Sequence, residues 1–274
     1  MELISSRNNP KIKQVRSLKE RKARQASGLA VVEGIFPVGE AVAAAQAGRI
    51  SIDSIYYAPQ LLKSVFASGL VTGQAAQGVP CYAISEEVFA SIADKDNPQG
   101  ILALVKPVSH SLEALNPQNA PWCVALVSPQ DPGNVGTVLR TLDAVGASCL
   151  LLLDGGLDAY QPGVVRASMG MVFWKPVVNA SFTEFASWRR GHGYRLYGTS
   201  AHAQVDYRRV DYQKPCVLLL GSEREGLTPD QRAACDLLIK LPMHGRATSL
   251  NLAVAAGVAL YAMLDGMRND PSGA

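Results

Sequence analysis

The sequence predicts an α/β protein of two domains, and three observations carry that prediction. Short apolar runs alternate with helix-like stretches along most of the chain, as in α/β folds. The length, 274 residues, exceeds that of a typical single domain. Between Pro107 and Pro121 the stretch PVSHSLEALNPQNAP is polar and proline-bounded, with little to bury, and separates two such series. The expected division is therefore residues 1–107, a linker at 108–121, and residues 122–274.

From Pro10 to about Arg24, Ile12, Val15 and Leu18 recur at three-residue spacing among basic residues, predicting one short amphipathic helix. A strand at Leu29 to Val32, a turn at Glu33 and Gly34, and a helix ending at Gly48 follow. SIDSIYYA alternates as a strand, QLLKSVFASG reads as helix, VPCYAIS as strand, EEVFASIAD as helix and GILALVKP as strand. Past the linker come strand CVALV, helix TVLRTLDAVG and strand CLLLLD, then YRLYGTS, CVLLLG and LIKLPM. Continuous apolar runs such as Leu150 to Leu153 and Val217 to Leu220 suit a parallel sheet covered on both faces. A last helix from about Asn251 to Met263 closes the chain, and GMRNDPSGA has the composition of a frayed end.

Composition narrows the function classes. No apolar stretch is long enough for a membrane span, and the N-terminus lacks the apolar core of a secretory signal, so a cytoplasmic protein is expected. Five scattered cysteines without Cys-x-x-Cys spacing read as thiols in a reducing compartment. Four histidines without helical pairing give no expectation of a metal. The net charge is only +3, but residues 1–25 hold eight basic against two acidic side chains, a net +6 that leaves −3 for the remainder. Such an arm neutralises phosphates if nucleic acid is the partner, and is a solvated helix face if not.

In a parallel α/β sheet ligands bind at the carboxyl ends of strands. Three polar loops stand there: SPQDPGNVGTVLR after CVALV, SEREGL after CVLLLG, and HGRATSLN after LIKLPM. Each alone has a plain structural reading. Asn134 can cap the helix that follows, Glu223 can face solvent, and Ser249 with Asn251 can simply start the last helix. Three at one sheet edge favour a pocket. Neither G-x-G-x-x-G after a strand nor a P-loop is present, which removes the usual nucleotide cradles.

The stretches DPGNVGTVLRTLDAVGA, LLLGSEREGL and LPMHGRATSLNLAVAAGVALY resemble, in order and spacing, the three motifs of the SpoU, or TrmH-type, RNA 2′-O-ribose methyltransferases of the SPOUT superfamily. VVEGIFPVGEAV and NPQGILALV are similar to that family's small substrate-binding domain of L30e-like fold. One departure is plain: Arg224 stands where the family usually has Gly between two acids. The resemblance implies a C-terminal parallel sheet with a deep trefoil knot, S-adenosyl-L-methionine as cofactor, a homodimer, and an RNA substrate, ribosomal RNA favoured over transfer RNA.

The resemblance also assigns roles. Arg140, Asn134, Glu223, Ser249 and Asn251 form the catalytic set. Thr199, Ser200, Ala201, Gly221, Leu241, Met243, Ser249 and Leu250 line the cofactor. From the basic arm, Arg7, Lys11 and Lys13 are expected to touch RNA. The family casts the arginine matching Arg140 as the base that takes the hydroxyl proton. A guanidinium is protonated near neutral pH, so the alternative is that Arg140 grips and orients a phosphate beside the target ribose. A non-catalytic RNA-binding or ribosome assembly factor that keeps the fold is the competing reading.

Overall fold

The computed structural model describes residues 3–94, 97–155 and 157–268. In the first compact unit, which runs to Val108, the elements are α1 (Pro10–Ser17), α2 (Arg21–Ser27), β1 (Ala30–Glu33), α3 (Ile35–Gln46), β2 (Ile50–Tyr57), α4 (Val65–Ala76), β3 (Cys81–Ala83), α5 (Glu86–Ile92) and β4 (Ile101–Pro107). The second unit begins at Ser109 with β5 (Trp122–Val127), α6 (Pro132–Ala144) and β6 (Cys149–Leu153). Residues 158–174, which hold α7 (Pro162–Ala167), belong with the first unit. The second resumes with β7 (Val177–Ala180), α8 (Phe182–Gly191), β8 (Arg195–Thr199), β9 (Val205–Asp206), β10 (Cys216–Leu220), α9 (Pro229–Ala233), β11 (Leu237–Lys240) and α10 (Leu252–Arg268).

The first unit carries a four-stranded sheet in the order β1-β4-β2-β3, with β4 antiparallel to both neighbours and β2 parallel to β3. Ile12, Val15 and Leu18 are buried together with Phe89, Leu102 and Leu104, so the three-residue spacing does mark the inward face. The single helix expected over 10–24 is two. α1 stops at Leu18 and α2 restarts after Glu20, whose extended backbone (ψ 132°) breaks the helical path. The break lets Arg24 turn inward: only 6% exposed, it donates from Nε to Asp158 Oδ2 at 2.7 Å and from Nη1 to the carbonyls of Leu18 and Lys19. Helix α4 starts later than the apolar pattern suggests, because the Ser64 hydroxyl accepts from Ala67 N and caps it there. Leu61 and Leu62 stay in the preceding turn, against Gly100.

The second unit carries a seven-stranded sheet among the described residues, β7-β6-β5-β10-β8-β11-β9, with every pair parallel. Every residue of β5, β6 and β10 is buried, which is what continuous apolar runs demand of strands covered on both faces. One face packs Ala125, Leu151, Phe185, Trp188, Leu196 and Leu219 into a single cluster. Helix α8 escaped the periodicity reading, yet its start is signalled by a reciprocal capping box between Ser181 and Glu184. Helix α10 lies against α6 and runs to Arg268, about a turn beyond the expected end, and the rest of the tail lies outside the described residues.

Candidate functional site

Because the seven strands are parallel, their carboxyl ends share one edge, and the three polar loops meet there. Helix α6 begins at Asp131, whose carboxylate accepts from Gly133 N at 2.8 Å, with Pro132 in the first turn where no N–H is needed. The cap is therefore Asp131, and Asn134, buried in the first turn, is released for another task. Asn134 Nδ2 donates to Glu223 Oε1 at 3.1 Å, while its Oδ1 accepts from Asn251 Nδ2 at 2.9 Å. Asn251 in turn accepts from Ala253 N at 2.9 Å through Oδ1, so it caps α10 while holding Asn134. Glu223 also accepts from Gln130 N at 3.3 Å through Oε2.

These contacts fix each amide by elimination. Backbone N–H groups at the start of α10 can face only the Oδ1 of Asn251, so its Nδ2 must point to Asn134 Oδ1, and the amide of Asn134 must then point to the carboxylate. Glu223 and Asn251, 89 and 117 residues from Asn134 in sequence, thus join it in one hydrogen-bonded chain across three loops.

Beside it lies a cleft of about 690 Å³, within the range that holds cofactor-sized ligands. Thr199 at the end of β8 with Ser200 and Ala201 beyond it, Gly221 and Glu223 after β10, and Leu241, Met243, Ser249, Leu250 and Asn251 after β11 all line it. Thr199, Ser200 and Ser249 bring hydroxyls to the lining, and Leu241, Met243 and Leu250 supply apolar surface. Gly221 is required by packing: a Cβ there would collide with the backbone of Gly226 and Leu227, where the hairpin closed by the Ser222–Gly226 bridge folds back. At the tip of that hairpin Arg224 is exposed and lines the cleft. Its φ is not positive; Gly226 takes the left-handed conformation instead, at φ +68°, so the turn accommodates a side chain at 224.

Sequence reasoning passed over Arg232 and gave no individual role to Ser222 and Thr248 within the polar loops SEREGL and HGRATSLN; all three also line the cleft. Arg232 sits on α9, whose reciprocal Thr228–Gln231 capping box with Pro229 in the first turn was a readable helix start.

Arg140 is not gathered in. It is exposed on α6 and does not line the cleft of its own chain. It shares an exposed strip with Thr137 and Ala144, and α10, packed on α6, exposes Val254 (51%) and Tyr261 (51%) at helical spacing with Val258. In the first unit Arg7, Lys11 and Lys13 are all exposed, and Lys11 Nζ donates to Tyr82 Oη at 3.0 Å and lies over its ring. Among the described residues no group of three or more His, Cys, Asp or Glu is arranged to hold a metal ion, and no helix is long and apolar enough to cross a membrane.

An open parallel sheet with polar loops converging beyond three of its strands defines an α/β protein that takes a small ligand at the strand ends. Residues 121–261 match the SpoU rRNA Methylase family, to which this chain belongs, and residues 9–103 match the MRM3-like substrate binding domain. The chain is 28% identical to the 23S rRNA (guanosine(2553)-2′-O)-methyltransferase RlmP of Bacillus subtilis over 95% of this chain and 98% of that one. It is 31% identical to the 23S rRNA (uridine(2479)-2′-O)-methyltransferase of Streptomyces viridochromogenes, over 89% and 85% respectively. Among solved structures, the AdoMet-bound rRNA methyltransferase from Sinorhizobium meliloti superposes with a TM-score of 0.85 at 33% identity, covering 97% of this chain and 98% of that one.

Proposed function

We propose that this protein transfers a methyl group from S-adenosylmethionine to a ribose 2′-hydroxyl of ribosomal RNA. The observation that carries the reading is the Asn251–Asn134–Glu223 chain beside the 690 Å³ cleft, in a member of the SpoU rRNA methylase family. The cleft suits the cofactor chemically: Leu241, Met243 and Leu250 offer apolar surface for a flat base, and Thr199, Ser200 and Ser249 offer hydroxyls for a ribose.

Bound there, the cofactor supplies an electrophilic methyl group on a sulfonium. The chain's own residues align an acceptor with it, and the proton that the 2′-hydroxyl loses as the O–C bond forms passes to solvent. Glu223 and Asn134, locked by Asn251, hold a rigid polar wall against which the incoming nucleotide is positioned, and such alignment lowers the barrier by proximity. Arg140 grips the phosphate next to the target ribose through its planar fork, a role its permanent charge allows more readily than proton abstraction.

The same reading includes a homodimer formed through α6 and α10. The exposed Val254, Val258 and Tyr261 support it, and a second copy on that face is the arrangement that brings Arg140 to a cleft. It further includes a trefoil knot in the C-terminal segment, a substrate-binding role for residues 1–107 with Arg7, Lys11 and Lys13 as phosphate contacts, and action in the cytoplasm. The test is to incubate the purified protein with isotopically labelled S-adenosylmethionine and ribosomal RNA, and to map 2′-O-methyl positions in RNA from cells with and without it. One position lost without the protein and restored in the tube is expected. Absence of cofactor binding by calorimetry would instead favour an assembly factor.

A further inference from the structure

We infer that a second cleft, at the opposite end of the same parallel sheet, binds the phosphate backbone of RNA away from the reacting nucleotide; this rests on the ribosomal RNA reading above. The cleft encloses about 780 Å³ at the amino ends of β8 and β11. Arg189, Arg190, Arg195 and Arg209 line it together with Asp211 and Asp236, four guanidinium groups against two carboxylates.

The acids are already engaged. Asp236 Oδ2 accepts from Arg189 Nη1 at 2.6 Å and from Leu196 N at 2.6 Å, and Asp211 accepts from the Gln213 side-chain amide at 3.0 Å. Nearby Asp206 is held by three hydrogen bonds from Arg208, two from its guanidinium and one from its backbone N–H, which keep its carboxyl far below the usual range. Arg189, 8% exposed, also donates to the carbonyls of Tyr194 and Ala234, so it serves as a buried strut that neutralises Asp236 and braces the floor. Arg190, Arg195 and Arg209 remain exposed, with no carboxylate at ion-pair distance among the described residues.

Among the described residues, three exposed guanidinium groups outside any ion pair, against Asp211, the one lining carboxylate that no cation holds, leave a net positive concave surface, which attracts a polyanion and suits phosphate oxygens in particular. Strand β8 joins the two clefts: Arg195 begins it and lines the basic one, while Thr199 ends it and lines the other. Four residues of strand span about 13 Å, so an RNA whose ribose enters one cleft has further phosphates within reach of the second. The arginines would then secure flanking structure and help select the substrate, without touching the chemistry.

The experiment replaces Arg190, Arg195 and Arg209 together by Ala, and separately by Lys, and measures binding of a ribosomal RNA fragment across a salt series, with cofactor affinity by calorimetry. All three positions are exposed, so an unchanged melting temperature is expected. The Ala variant should bind RNA about tenfold or more weakly, with the slope of log affinity against log salt reduced by about 2 to 3, and unchanged cofactor binding. The Lys variant, which keeps the charges, should restore most of the slope. Unchanged affinity and slope in the Ala variant would overturn the inference. A wild-type protein that binds RNA but neither binds nor uses the cofactor would sink the enzyme reading instead, and the two failures are read independently.

Discussion

The two sheets of this chain use similar strands to opposite ends. In the four-stranded sheet β4 runs against both neighbours, so loops leave at either edge and no single edge collects the polar residues. In the seven-stranded sheet every strand points the same way, and loops separated by about a hundred residues are delivered to one line. Parallel order, more than any individual loop sequence, is what turns dispersed asparagines and a glutamate into one hydrogen-bonded group.

Four variants break or sharpen this contrast. The largest effect is expected for Asn134→Ala in the parallel sheet's site: methylation falls by about 10² to 10³, as for loss of a fixed polar group at a reacting centre. Glu223 and Asn251 are exposed and recover water as a partner, so the thermal melt should stay near the wild-type one. A globally unfolded variant would assign Asn134 to structure instead. In the mixed sheet's unit the comparable polar centre is structural: Arg24→Ala strands Asp158 and should cost about 3 kcal/mol of stability, read from the denaturant midpoint. A change below about 0.5 kcal/mol would show that the pair is replaceable by water.

Smaller effects follow. Arg140→Lys retains the charge and loses the planar fork; turnover is expected to drop about tenfold, equivalent to about 1.4 kcal/mol, with cofactor affinity untouched. Wild-type turnover would refute the fork. Replacing Arg7, Lys11 and Lys13 by Ala should weaken RNA binding only several-fold and reduce the salt slope by about 2, leaving single-turnover methylation at saturating RNA unchanged. An unaltered slope would return the arm to a solvated helix face.

Much of this was legible in the residues. The unbroken apolar runs Leu150–Leu153 and Val217–Leu220 announced parallel strands buried on both faces, and the polar stretches after them announced the edge where a site would form. What the sequence hid was set by tertiary or local hydrogen bonding. Which residue of DPGN caps α6 depends on whether Asp131 or Asn134 reaches a backbone N–H, and both can; only the demand of Glu223 and Asn251 decides it. The break at Leu18–Glu20 was masked because Arg24 reads as a surface charge until a distant carboxylate, Asp158, takes it inside. The start of α4 was displaced because Leu61 and Leu62 satisfy a turn against Gly100 rather than a helix face.

Asn251 ties the last helix to the site. It stops the backbone of α10 from fraying and, with the same amide, orients Asn134. A chain whose final helix has not closed lacks the group that aims Asn134. Closure of the last helix and the setting of Asn134 are thereby one event rather than two.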